Sequence, residues 1–219
     1  MKTTRQLSIK GLFLPAIALC SLLFSWSETH AAIYEFTGGV SNVCNALKPT
    51  LGISPISGTF TFNDSPATGG IYPGVVSGLN VNVGGYLATY AFGLVNGVSI
   101  EKGITLLDGT TGDNWKLATS ATGMPVNGYT LKVFDLDLER EGNLFTNTNM
   151  QNPPSIGDLS GTRWRMIFEN AMGVVRIQGN VLTLTAVPLP AAVILFGAGL
   201  ISLVGLGAGG LRNLRWPQA

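Results

Sequence analysis

The chain has 219 residues, of which 29 are glycine and only 11% are charged, and its formal net charge at pH 7 is +1. This composition is too apolar for a disordered chain and too rich in glycine for a helical bundle. It also provides no concentrated basic face of the kind that nucleic-acid binding needs. We therefore expect one all-β domain with accessory segments and no nucleic-acid partner.

The N-terminal segment has the three parts of a secretory signal peptide. Three basic residues give a positive start, a mostly apolar stretch follows at 11–26, and small residues precede a suitable cleavage point. We predict a signal peptide over residues 1–31, with cleavage between Ala31 and Ala32.

Removal of this peptide restricts the chemistry of the exported chain. The only histidine, His30, leaves with it, which excludes a Ser-His-Asp or Cys-His catalytic arrangement and a His-ligated metal site. Cys44 then remains as a single cysteine and cannot form an intramolecular disulfide. We expect its side chain to act as a small apolar group in the core, the alternative being a reactive thiol or a disulfide to a partner.

Alternation of apolar and polar residues predicts strands through the middle of the chain. Residues 56–62 and 79–83 alternate with a period of two, which is typical of a strand with one buried face. Asn96-Gly97 lies between apolar residues and predicts a two-residue hairpin turn. Further strands are expected at 104–107, 115–119, 129–138, 163–168, 174–178 and 181–185, with a long polar loop at 142–158.

This succession of short strands without a helical period defines the expected fold. It indicates a β-sandwich over residues 32–186, with a jelly roll as one form of it. Four aromatic residues of this region, Trp115, Trp164, Tyr86 and Tyr90, permit two interpretations. Exposed rings would form a platform for sugar rings, whereas inward-pointing rings would fill the core, and we favour the core.

The sequence DLDLERE, residues 135–141, places four carboxylates on one face of a predicted strand. Successive carboxylates on such a face lie roughly 6.5–7 Å apart. We interpret this face as a solvated surface that hinders edge-to-edge pairing. Two alternatives stay open: a calcium site with Asp135, Asp137 and Glu139 as weak candidate ligands, and a glycosidase pair formed by Asp135 and Asp137.

The C-terminal segment has the composition of a membrane span. Residues 191–211 are 21 residues without a charge, long enough as a helix to cross a hydrocarbon layer of about 30 Å. Arg212 and Arg215 follow, and the positive-inside rule predicts that these two anchors stay cytoplasmic. We therefore predict a transmembrane helix at 191–211.

The residues before this span form a specific motif. Val187-Pro188-Leu189-Pro190-Ala191, followed by a small-residue apolar span and a basic end, resembles the VPLPA variant of the PEP-CTERM sorting signal of Gram-negative bacteria. The resemblance makes residues 187–219 a sorting region. It implies an exported protein that is held briefly in the inner membrane and then processed near the proline motif by an exosortase. It further implies delivery to the cell surface or the extracellular polysaccharide matrix.

These expectations lead to one main functional hypothesis. We predict a non-enzymatic exported protein that acts in adhesion, biofilm or exopolysaccharide-matrix assembly and needs no cofactor. Its expected partners are the inner membrane, an exosortase-type enzyme and extracellular polysaccharide. The alternatives are a carbohydrate-active enzyme that uses carboxylates and a calcium-stabilised carbohydrate-binding module.

Overall fold

A computed structural model describes residues 31–188 of the chain. The strands are β1 (Ala31–Val43), β2 (Ile56–Asn63), β3 (Ile71–Pro73), β4 (Val76–Val83), β5 (Tyr86–Tyr90), β6 (Asn96–Thr105), β7 (Thr111–Gly123), β8 (Thr130–Glu141), β9 (Gly161–Asn170) and β10 (Gly173–Ala186). A single helical turn, α1 (Lys48–Leu51), follows β1, and a 3-10 turn (Ile156–Asp158) lies between β8 and β9.

Neither helical turn within residues 31–188 is long and apolar enough to span a membrane. Of the predicted signal peptide, only its last residue, Ala31, is among the described residues. The predicted helix at 191–211 lies outside them.

The ten strands form one antiparallel sheet that closes on itself. Around the ring the order is β7, β5, β4, β2, β1, β10, β9 and β8, and β8 pairs with β7 to complete the circle. β6 lies along the same edge of β7 as β5, and the short β3 pairs with β6. The fold is therefore an eight-stranded antiparallel barrel with a two-stranded extension.

The all-β prediction is confirmed, but the strands do not divide into the two packed sheets of a sandwich or jelly roll. One continuous hydrogen-bonded sheet replaces them, because β7 is paired along both of its edges. Each strand has one buried face in either architecture, so alternation along a single strand cannot distinguish a sandwich from a barrel.

A single aromatic-rich core fills the barrel. Phe60 lies between Phe36 and Trp115, with ring centroids 6.2 Å away from each. Trp115, Trp164 and Tyr86 are buried, as the core interpretation predicted, while Tyr90 is half-buried. Cys44 is also half-buried and packs against this core, in agreement with its predicted apolar role.

Asn96 and Gly97 do not form the predicted hairpin turn but begin β6. The Asn96 side chain bonds to both backbone groups of Val76, as a neighbouring strand would. Its Oδ1 accepts the Val76 N–H at 2.9 Å, and its Nδ2 donates to the Val76 carbonyl at 2.9 Å. A Cβ atom on Gly97 would lie 2.8 Å from the Tyr72 carbonyl oxygen of β3. These two residues therefore fit close contacts between strands, and they do not form a turn.

The long loop predicted after β8 is present, and it packs back onto the barrel. The Tyr72 hydroxyl donates a hydrogen bond to the Thr148 carbonyl, and the Trp115 indole N–H donates to the Gln151 carbonyl at 3.0 Å. The polar atoms of two buried aromatic side chains thus form hydrogen bonds to the loop backbone, and these bonds hold the loop on the barrel.

Replacing Leu117 with alanine should lower the free energy of unfolding of the barrel by about 2–5 kcal/mol, because this side chain is fully buried in the core. The matched control is Leu182→Ala, whose side chain is largely exposed and whose loss should change stability by less than about 0.5 kcal/mol. Urea unfolding followed by tryptophan fluorescence measures both. Equal effects of the two substitutions would contradict the assignment of the barrel interior.

Candidate functional site

The outward-facing side chains of β6 to β9 form a charged wall. On β8, Asp135 and Asp137 lie opposite Arg165 and Arg163 of β9. Arg165 Nη2 is 2.8 Å from Asp135 Oδ2, and Arg163 Nη2 is 2.6 Å from Asp137 Oδ2. The hydrogen bond to Asp135 raises the pKa of Arg165, although burial of the guanidinium acts in the opposite direction.

The two aspartates are buried although they point out of the barrel. The prediction of a solvated face that protects a sheet edge is therefore wrong for Asp135 and Asp137. The physical reason is that β8 is paired on both edges, and the long arginine side chains of β9 cover the carboxylates.

Glu139, the third weak candidate for calcium, is also buried but has other partners. Its Oε2 accepts the Leu107 N–H at 3.1 Å, and its Oε1 accepts a hydrogen bond from Asn114 Nδ2 at 3.3 Å. Among residues 31–188, no group of three or more His, Cys, Asp or Glu side chains is placed to hold a metal ion. The geometry therefore gives no support to a calcium site at these three carboxylates, and Asp135 and Asp137, the alternative glycosidase pair, are each held in an ion pair with an arginine.

A further buried carboxylate, Asp113 of β7, anchors the loop after β8. Its Oδ2 accepts the N–H groups of Leu144 and Phe145 at 2.8 and 2.9 Å, and its Oδ1 accepts the Gly103 N–H at 3.0 Å. Burial acts to raise the pKa of Asp113, but these donors and the nearby Lys102 ammonium outweigh it and lower the pKa below the ordinary value.

The outward-facing side chains of β10, β1, β2 and β4 form a second surface, which we call the neutral wall. Strand pairing aligns them in two rows across the four strands, Thr185, Glu35, Thr59 and Asn80 in the first and Thr183, Thr37, Ser57 and Asn82 in the second. Neighbouring members of a row are about 5 Å apart. Glu35 is the one charged residue of the eight, and all eight are exposed or half-buried.

A shallow depression of about 250 Å³ lies in the neutral wall. Its lining includes Glu35, Ser57, Thr59, Asn80, Asn82 and the exposed side chain of Leu87. Hydroxyl and carboxamide groups both donate and accept hydrogen bonds, which suits a ligand rich in hydroxyls. The sequence predicted the polar sides of two of these strands, but not their alignment, because register is a property of the assembled sheet.

The described part of the predicted sorting and cleavage residues lies at one end of the barrel. Val187 directly follows β10, and its N–H donates to the Ile33 carbonyl of β1 at 2.8 Å. Ala31 and Ala32 are the first residues of β1, and Pro188 is the last residue described. The remaining predicted sites, Leu189, Pro190, Ala191, Arg212 and Arg215, lie outside the described residues.

No protein-family model matches the chain, and no curated protein or solved structure is significantly similar to it. Fold and surface together define the class: an all-β barrel with one ion-paired wall and one neutral wall that bears hydroxyl and amide groups.

Replacing Asp113 with asparagine should weaken the acid dependence of stability. A carboxylate whose folded pKa is lowered stabilises the fold above its unfolded pKa of about 3.9, and this contribution is lost as pH falls through the folded value. We expect Asp113→Asn to be less stable by about 1–3 kcal/mol at pH 7 and to lose less stability than the wild type between about pH 4 and pH 2.

Urea unfolding at a series of pH values measures this difference. The control is Glu141→Gln, which changes an exposed carboxylate of β8 that is not among the anchors of the loop. Parallel stability curves for Asp113→Asn and the wild type would show that the Asp113 charge does not hold the loop.

Proposed function

We propose that this chain is a non-enzymatic exported protein of the cell surface or extracellular matrix, and that its neutral wall binds polysaccharide. The observation that carries the proposal is the alignment of serine, threonine and asparagine side chains in two rows across four strands. Each row extends over about 14 Å and offers a side-chain donor or acceptor at each step, which suits the regularly spaced hydroxyls of a sugar chain.

The charge of the molecule favours a neutral glycan as the ligand. A form trimmed to residues 32–190 carries eight Lys and Arg against eleven Asp and Glu, and is therefore mildly acidic. A strongly anionic polymer would be repelled by this net charge. The two rows add only the Glu35 carboxylate, so a neutral chain of sugars meets little opposing charge.

The first and last strands of the barrel are neighbours, and this arrangement supports export with a membrane-held tail. Val187 and Ile33 are hydrogen-bonded neighbours, so the chain enters and leaves the barrel at the same end. A signal peptide before Ala32 and a tail after Pro188 would therefore be joined to the barrel at the same end. We propose that the VPLPA motif is processed near Pro190 by an exosortase-type enzyme after this transient inner-membrane stage.

The double substitution Thr59→Ala/Asn80→Ala should weaken polysaccharide binding about tenfold, because it removes two hydrogen-bonding side chains from the first row. Affinity electrophoresis through gels that contain the native host's exopolysaccharide measures the effect. The matched control is Thr130→Ala/Asn143→Ala, which removes the same two residue types from exposed positions outside the neutral wall. Equal retardation of the two double variants would refute binding at this wall.

The processing proposal predicts a defined product in the native host. Intact mass of the protein recovered from the cell surface or medium should correspond to a chain that begins at Ala32 and ends near Pro190. The variant Pro188→Ala/Pro190→Ala should instead accumulate in the membrane fraction with its tail attached. Recovery of the full-length chain from the cytosol, with both ends intact, would contradict the sorting proposal.

A further inference from the structure

The loop between β5 and β6 projects two large apolar side chains into solvent. Phe92 is 97% exposed, and Leu94 is fully exposed. The base of the loop is held on β7, because the Ala91 N–H donates to the Ser120 carbonyl at 3.0 Å and the Ser120 N–H donates to the Val95 carbonyl at 2.6 Å. The loop is therefore anchored at both sides, while the two large side chains at its tip are exposed.

An uncharged cleft of about 500 Å³ lies at the opposite end of β5. Its lining includes Tyr86, Leu87, Met124, Pro125 and Val126. Leu87 is 58% exposed and Met124 is 79% exposed, so the rim of the cleft is apolar as well. A volume of this size accommodates large side chains from a partner.

The segment that carries the projecting loop and β5 lacks charge. Residues 65–100, which include β3, β4, β5 and the projecting loop, are 36 consecutive residues without Asp, Glu, Lys or Arg. A two-fold contact places a surface against its own copy, so charges of one sign near the axis would repel each other. A surface without charge avoids this cost, and an exposed apolar patch of this kind marks an interaction site.

We propose that two copies of this chain form a two-fold symmetric dimer through β5. The Phe92–Leu94 loop of each copy enters the Leu87–Met124 cleft of the other. The five residues of β5 separate loop and cleft by about 17 Å, so two β5 strands that run in opposite directions bring each loop opposite a cleft. Thr89, on the outer face near the middle of β5, lies close to the axis.

A second copy is the occupant because one surface supplies both the projecting and the receiving part. Such self-complementarity is what a two-fold interface requires. The dimer goes beyond polysaccharide binding and sorting, and it uses none of the eight residues in the two rows and none of the VPLPA motif. It is adjacent to the neutral wall, because Leu87 lines both the cleft and the depression, and Thr89 pairs with Asn80.

The test uses the full chain, purified in a mild detergent and measured by light scattering coupled to size exclusion over a range of concentrations. The wild type should have twice the mass of its own purified chain, which is 23.0 kDa when both ends are present. Leu94→Glu and Met124→Lys should each raise the dimer dissociation constant about tenfold or more, because each places an unpaired charge in an apolar contact. The double variant Leu94→Glu/Met124→Lys should recover most of this loss, because each loop then meets an opposite charge.

Met172→Glu is the matched control, since Met172 is 82% exposed on the turn between β9 and β10, which lie across the ring from β5 in strand order. This variant should dimerise like the wild type. A monomeric wild type at about 100 µM would overturn the proposal. A dimer that tolerates Leu94→Glu, or a double variant no better than the single variants, would overturn it too.

Discussion

The pairing of β7 along both of its edges is the constraint on which the rest of the structure depends. One edge pairs with β8, and the other pairs first with β6 and then with β5. This strand converts a row of antiparallel strands into a ring, and the ring divides every side chain into inside and outside. The packing of Trp115 and the outward position of Asp137 both follow from that division.

The outside of the ring is not uniform, and its two walls have different physical roles. On one wall, arginines of β9 form ion pairs with aspartates of β8, and these pairs are partly shielded from water. The ion pairs link β8 to β9. On the other wall, the short polar side chains are exposed or half-buried, and the hydroxyls of Thr37 and Thr183 bond to each other. The eight residues of the two rows include a single charge, that of Glu35, so this surface is close to neutral.

The sequence predicted individual strands better than their arrangement. Alternation at 56–62 and 79–83 correctly identified β2 and β4, because burial of one face acts within a single strand. The closed ring and the rows of the neutral wall depend on register between strands that are distant in the chain. The sequence also placed the carboxylates of DLDLERE on the correct face of β8 but predicted that this face is solvated. Their burial could not be predicted, because their arginine partners lie about 26 to 30 residues away in the chain. Asn96-Gly97 has the composition of a turn, yet contacts with Val76 and Tyr72 determine its conformation.

The pairing of β1, the first strand, with β10, the last, has a consequence for the order in which the barrel folds. The Thr37 and Thr183 hydroxyls, which are 146 positions apart in the chain, are hydrogen-bonded across this seam. Closing so long a loop is slow, because its entropy is lost before any contact repays it. The ring cannot close until its last strand, β10, is available to pair with β1, so closure is a late step of folding. Truncation within β10 would leave an open sheet with unpaired edges, which is prone to aggregate, and not a smaller barrel.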